Sequence, residues 1–171
     1  MPHPPFWPLA LGLFLLTTGH VSAAPRVDPQ ELAGAFVTMT PGARCPSVST
    51  IAFQAQGEAT GPIEGIFDLR GSMDLAAAPG TAGTAIHAFV AALDFNQQRI
   101  LGTLRWDPAD PPLRLVCDAL SLRLEGTLRY AVGSTDSGTA DIEAYGSRSA
   151  VTMPYFGRTT LHLIPGGRAT R

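Results

Sequence analysis

Cys45 and Cys117 are the only two cysteines of this 171-residue chain, and three kinds of chemistry use such a pair. A thiol nucleophile needs a nearby base and a structural zinc ion needs four ligands, but neither set lies near either cysteine in the sequence. An even pair in an exported chain is typical of a disulfide. Closing a loop of about 73 residues stabilises a fold by about 4 kcal/mol if chain entropy alone counts. The sequence therefore predicts a disulfide between Cys45 and Cys117.

Two histidines and two aspartates are further candidates for a metal or acid–base site. His162 lies between two leucines and is expected to face solvent, and His87 lies in a segment that is apolar on both parities. Neither has a partner at metal-ligand spacing. Asp107 and Asp110 in DPADPP offer two carboxylates, but calcium needs six or more oxygen ligands. We predict no metal and no cofactor.

The charges are nearly balanced, with 12 Lys and Arg against 14 Asp and Glu, and no basic run is present. This argues against a nucleic-acid partner. Several arginines alternate with acids and Thr, which favours cross-strand ion pairs, with an acidic-ligand site as the alternative. They are Arg70, Arg99, Arg105, Arg123 and Arg129. Outward carboxylate pairs, such as Asp68 with Asp74 and Asp141 with Glu143, are not expected to act as acid and base.

The N-terminal region has the features of a secretory signal. Leu9 to Leu16 is apolar but shorter than the roughly 20 residues that cross a bilayer, and VSA at 21–23 suits cleavage before Ala24. Met1 to Pro8 contains no Lys or Arg, which departs from the pattern and leaves a retained anchor as the alternative. We predict a signal peptide over 1–23, a secreted or periplasmic location, and no membrane span in the mature chain. The use of Arg without Lys indicates a GC-rich bacterial source.

The stretch LSLRLEGTLRYAV, from Leu120 to Val132, predicts the central strand of the fold. Its apolar residues occupy every second position, with Ser, Arg, Glu and Thr between them. A period of two buries one face of a strand, whereas a helix would scatter the leucines around its circumference. Before this region, residues 24–48 are expected to form an N-terminal arm. Asp28-Pro29 followed by Glu31 resembles the start of a short helix there.

From residue 49 onward, about eight strand-length segments alternate with turns, and no amphipathic helix lies between them. Consecutive strands without crossover helices imply antiparallel neighbours. Glycines recur where tight coiling needs them, at Gly65, Gly71, Gly102, Gly126 and Gly146. We predict an all-β, single-domain antiparallel barrel of about eight strands over 49–165 and a flexible tail over 166–171. A β-sandwich is the alternative.

The segment from Ala85 to Phe95 differs from the other predicted strands because both of its parities are apolar. We expect the outer apolar face of this strand to be buried by the N-terminal arm or by another subunit. The other inward positions are aliphatic or small. They include Phe67, Leu69, Met73, Leu104, Leu122, Leu124, Ala140, Ala144 and Leu161. A hollow interior of this kind suits an apolar ligand, and a filled one is simply a core.

No G-x-S-x-G, P-loop or H-E-x-x-H motif is present. The eight-strand outline is shared with lipocalins, but their Gly-x-Trp signature is absent, and an outline alone implies no function. We predict a non-enzymatic exported barrel that binds an apolar small molecule, or a protein partner through Ala85 to Phe95. The alternative is an isomerase or cyclase that shapes an apolar substrate inside the barrel, with Tyr130, Tyr145 or His87 at its mouth.

Overall fold

The computed structural model describes residues 29–39, 49–77, 84–134 and 136–166. These residues form strands and turns, and no helix among them is long and apolar enough to cross a membrane. The strands are β1 (Gln30–Thr38), β2 (Ser49–Thr60), β3 (Gly65–Ala77), β4 (Thr84–Phe95), β5 (Ile100–Arg105), β6 (Arg114–Cys117), β7 (Ser121–Val132), β8 (Asp136–Ser147) and β9 (Phe156–Pro165).

Eight of the nine strands close into an antiparallel barrel. Hydrogen-bonded neighbours follow the order β5-β4-β3-β2-β1-β9-β8-β7, and β5 pairs with β7 to complete the circle. A closed sheet of this kind has no second layer, so the barrel prediction is confirmed over the sandwich. Closure also removes the exposed edges that an open sheet would present.

The ninth strand, β6, pairs with the same edge of β7 as β5 does, but with a different part of it. β5 pairs with residues 129–132 of β7, and β6 pairs with residues 122–125. The two short strands therefore lie end to end along one long neighbour, like a single strand that is interrupted by residues 106–113. We call these eight residues the excursion.

The first barrel strand comes from the region predicted as an arm with a short helix, and that prediction is wrong for Gln30–Thr38. β1 pairs with β2 on one side and with β9 on the other. Its inward residues Leu32 and Phe36 are buried. Two ladders and a buried face outweigh the helix-start signal, because local propensity is weak beside tertiary pairing. The barrel therefore begins before residue 49.

Alternate residues of the barrel strands point inward and form one hydrophobic core. In β7, Leu122, Leu124 and Leu128 are buried, whereas Arg123 and Arg129 are exposed. All nine inward positions named from the sequence are buried. Eight strands leave an interior just wide enough for side chains to fill.

Candidate functional site

The interior of the barrel is packed rather than hollow. Among the residues described, the cavity inside the core has a volume of about 20 Å³, which holds about one water molecule, whereas small-molecule sites measure roughly 300–1,000 Å³. Its lining includes Phe53 and Phe89, whose ring centroids are 5.1 Å apart. Of the two interiors that the sequence left open, the described residues form the filled one.

Tyr155 fills one end of the barrel. Its side chain is fully buried, and its hydroxyl donates a hydrogen bond to the carbonyl of Asp118 at 2.5 Å. The Arg148 guanidinium lies 4.1 Å from the ring centroid, and its Nε donates to the carbonyl of Ala119 at 2.7 Å. Burial raises the pKa of Tyr155. This cluster joins the β6–β7 connection to the β8–β9 connection.

Gln30 fills the opposite end. Its Nε2 donates to the carbonyls of Thr60 at 2.9 Å and Ile63 at 2.7 Å. Its Oε1 accepts from the Ile63 amide at 2.7 Å. These bonds satisfy a buried amide, as buried polar groups require. Because the side chains of Tyr155 and Gln30 occupy the two ends, the outer wall of the barrel is the more accessible surface for binding.

Two adjoining depressions cross the outer wall over β6, β7, β8 and β9. Their volumes are about 290 Å³ and about 170 Å³, and they share Arg123 and Glu125. Together we call them the Arg–Tyr groove. Its outward side chains are Arg114, Val116, Arg123, Glu125, Glu143, Tyr145, Arg158 and Thr160.

The strand register places Tyr145 between two arginines. Tyr145 pairs with Arg123 of β7 and with Arg158 of β9, and neighbouring strands lie about 4.8 Å apart. Its side chain is 61% exposed, and that of Phe156, a diagonal neighbour on the same face, is 63% exposed. Tyrosine and arginine are the residue types enriched at interface hot spots.

The charges of the groove are only partly paired. Arg123 forms an ion pair with Glu125 along β7. Within the described part of the chain, Arg114, Arg158 and Glu143 take part in no ion pair. A guanidinium without an internal partner is available to a carboxylate, and Arg–carboxylate pairs are among the stronger hydrogen-bonded contacts. Three arginines against two glutamates leave the groove with one excess positive charge. It is suited to a carboxylate that reaches Arg114 or Arg158 and to apolar contacts with Tyr145.

The three residues predicted for the mouth of an enzyme barrel lie in three separate places. Tyr130 faces the core, and burial raises its pKa. Tyr145 lies on the outer wall, and His87 is an exposed residue of β4. They do not form one site. No group of three or more His, Cys, Asp or Glu that could hold a metal ion occurs among the residues described.

Asp107 and Asp110, considered as calcium ligands, interact with Arg129 instead. Asp110 accepts two hydrogen bonds from the guanidinium, both 2.7 Å long, and an Asp107 oxygen lies 3.8 Å from it. The Arg129 hydrogen bond lowers the pKa of Asp110. Arg70 pairs with Asp68 along β3 and Arg123 pairs with Glu125 along β7, so three of the five strand arginines form ion pairs, but none of these pairs joins two neighbouring strands as predicted.

The segment predicted to be apolar on both faces contains a β-bulge. The ladder of β3 with β4 passes from Ala88 to Ile86 and leaves out His87. The extra residue shifts the alternation, as bulges do, and Ile86 is buried. The outward face keeps Ala88, Val90 and Ala92, of which Val90 alone is large. The apolar outer surface of β4 is therefore smaller than the sequence predicted.

Cys117 ends β6 and packs against the core. Cys45 lies outside the described residues, so the disulfide stays a prediction. The amide of Thr38, at the end of β1, donates to the Tyr155 carbonyl, and the Tyr155 amide donates to Thr38 Oγ1. The Tyr155 hydroxyl binds the carbonyl of Asp118, which follows Cys117. The connection that contains Cys45 therefore starts at the end of the barrel where Cys117 lies.

Sequence reasoning missed Arg114 and Arg158 as members of a site. Contacts between neighbouring strands depend on register, which turn geometry and burial set together. The two-residue alternation indicates that Tyr145 and Arg123 both face outward, but it does not show that they lie next to each other.

No family model, curated protein or solved structure matches the chain. Small barrels host many unrelated functions, so the fold does not specify one. The function is therefore argued from the packed interior and the outer wall.

Proposed function

We propose that this protein is an exported, disulfide-linked interaction module that binds a protein partner through the Arg–Tyr groove. The proposal rests on one observation, the exposure of Tyr145 between Arg123 and Arg158 on the wall of a barrel whose interior is filled. A tyrosine side chain buries a large area at a low cost in conformational entropy, and arginine adds directional bonds to carboxylates. Export and the disulfide rest on the signal-like N-terminus and the cysteine pair.

The groove lies on a rigid part of the molecule. Every residue of β7 from Ser121 to Val132 has a partner on β8, and β8 pairs with β9 from Gly138 to Ser147. Side chains on paired strands are held more precisely than side chains on loops. Such preorganisation lowers the entropy cost of binding.

The packed interior favours a protein partner over an apolar small molecule. An apolar small molecule, as ligand or as substrate of an isomerase or cyclase, would need roughly 300 Å³ or more. The interior offers about 20 Å³. A protein partner needs no cavity, and the Arg–Tyr groove supplies both polar and aromatic contacts.

Site-specific photo-crosslinking in the source organism tests this proposal. A photoreactive phenylalanine analogue at position 145 should give a covalent adduct with the partner. The same analogue at Thr139, an exposed position on the same face of β8, is the matched control and should give none. Adding Arg158→Ala to the position-145 protein should remove most of the adduct. No adduct at position 145, or equal adducts at both positions, would contradict the proposal.

A further inference from the structure

A second charged surface lies on the opposite side of the barrel, and we call it the acidic patch. It consists of Ile66, Asp68, Asp94 and Leu101, whose side chains point outward from β3, β4 and β5. Asp68 and Asp94 are directly paired across the ladder. Like charges in that position repel each other.

The repulsion within the acidic patch is only partly offset. Arg70 donates two hydrogen bonds to Asp68, at 2.9 and 3.1 Å. Asp94 takes part in no ion pair within the described residues, although it is half-buried. Leu101, its partner on β5, is 66% exposed. The charge of Arg70 also acts on Asp94 without forming an ion pair with it, so the patch offers a carboxylate that has no direct ion-pair partner and has an apolar side chain beside it.

The Arg–Tyr groove has the complementary properties. It offers Arg158 without an ion-pair partner and exposes the ring of Tyr145. One continuous row of paired residues runs from Tyr145 through Arg158 on β9, then across β1 and β2 to Asp68 on β3. Since β3 is four strands from β8 in a barrel of eight, the two surfaces face in opposite directions.

We propose that the partner is a second copy of this chain, whose acidic patch binds the Arg–Tyr groove. This inference rests on the proposed function and names the partner. Two different surfaces in contact make a heterologous interface. Because they lie on opposite sides of the barrel, the contact does not close into a dimer, and copies add head to tail.

Analytical ultracentrifugation of the purified protein tests the inference. Wild-type protein should form species larger than dimers as concentration rises, and high salt should weaken them because exposed charges are screened. Arg158→Glu reverses the unpaired charge of the groove and Asp94→Ala removes the unpaired carboxylate of the patch, so each variant should associate at least tenfold more weakly. Glu31→Arg, an exposed charge reversal on β1 outside both surfaces, is the matched control and should associate like wild type.

Mixing the two variants gives the decisive result. The Asp94→Ala protein keeps an intact groove and the Arg158→Glu protein keeps an intact patch, and the new glutamate of one variant gains no cation from the new alanine of the other, so the mixture should form a dimer of one copy of each and nothing larger. Monomeric wild type, a wild-type assembly that stops at two copies, or a mixture that stays monomeric would overturn the inference. If wild type is monomeric but position 145 cross-links to a different protein, self-association is wrong and the proposed function stands. If there is neither assembly nor adduct, both are wrong.

Discussion

The wall of the barrel is continuous from β7 through β8, β9, β1 and β2 to β3, but it is interrupted between β4 and β7. We call the interrupted side the seam. In the continuous wall, every residue of Ser121–Val132 has a partner on β8. At the seam, β7 has partners only in Gly102–Arg105 of β5 and Arg114–Cys117 of β6. The ladder of β4 with β5 begins only at Val90.

Side-chain contacts hold the seam where the backbone ladder stops. The indole of Trp106 donates to the carbonyl of Pro111 at 3.0 Å. Leu113 is buried against Gly126 of β7, and Arg129 binds Asp110. One closed barrel therefore combines a wall stabilised by repeated backbone bonds with a seam stabilised by a few specific side chains. Regions with fewer ladder bonds open more readily, so substitutions and solution conditions should affect the seam first.

The largest expected effect comes from the predicted disulfide, which would join Cys117 of the seam to the connection between β1 and β2. Its reduction should lower the free energy of unfolding by up to about 4 kcal/mol, the chain-entropy limit for this loop. Amide exchange at β6 should accelerate more than exchange at β8. Thiol titration of the unfolded, unreduced protein should find no free thiol, and two free thiols would rule the disulfide out.

Gly126→Val should lower the free energy of unfolding by about 3 kcal/mol, because it combines overpacking with an unfavourable backbone conformation. A Cβ at this position would lie 2.7 Å from Leu113 Cδ2 and 3.3 Å from its Cα, and φ is +148°. Ala131→Val, at an exposed position of the same strand, is the control and should change stability by less than about 0.5 kcal/mol. Urea denaturation measures both. Equal effects would show that Leu113 does not constrain the seam.

Tyr155→Phe should cost about 1 kcal/mol, because it removes the hydrogen bond that the buried Tyr155 hydroxyl donates to the carbonyl of Asp118. Tyr155 links the continuous wall, through Thr38, to the β6 end of the seam. Tyr145→Phe removes a hydroxyl from an exposed ring and should have almost no effect on folding. Thermal denaturation of the two variants compares them directly, and a neutral Tyr155→Phe would mean that the hydroxyl adds no net stability.

The smallest expected effect is the pH dependence of the excursion. Arg129 lowers the pKa of Asp110 from its ordinary value of 3.8. A carboxyl with a lowered pKa in the folded state stabilises the protein above its unfolded pKa, and that contribution is lost as pH falls through the folded value. Stability should therefore decline below pH of about 4. In the Arg129→Gln variant, stability should fall less steeply as the pH drops below this value. Acid titration followed by circular dichroism measures the steepness, and the same steepness in the variant and the wild type would argue against the ion pair.

The sequence predicted the barrel because two-residue periodicity reports directly on burial. The parity of β7 is confirmed along its length, from Leu122 to Val132. The number of barrel strands is also confirmed, but their membership differs. β1 belongs to the barrel. β6 was counted among the eight predicted strands, but it lies end to end with β5 along β7.

The candidate site was much less predictable than the fold. Arg123, Tyr145 and Arg158 lie on three different strands, and only the register brings them into one row. The bulge at His87 was also invisible, because a single extra residue changes the parity of β4 without changing its composition. Positions that depend on pairing geometry could therefore not be read from periodicity alone.

The excursion has a consequence for engineering. It leaves the line of β5 after Arg105 and returns to the same line at Arg114. Residues added between Pro108 and Ala109, both exposed, would lengthen a surface loop without shifting any ladder, and longer surface loops cost little free energy. The barrel thus offers a place to graft a foreign peptide or an affinity tag on its outer wall, between the two barrel ends.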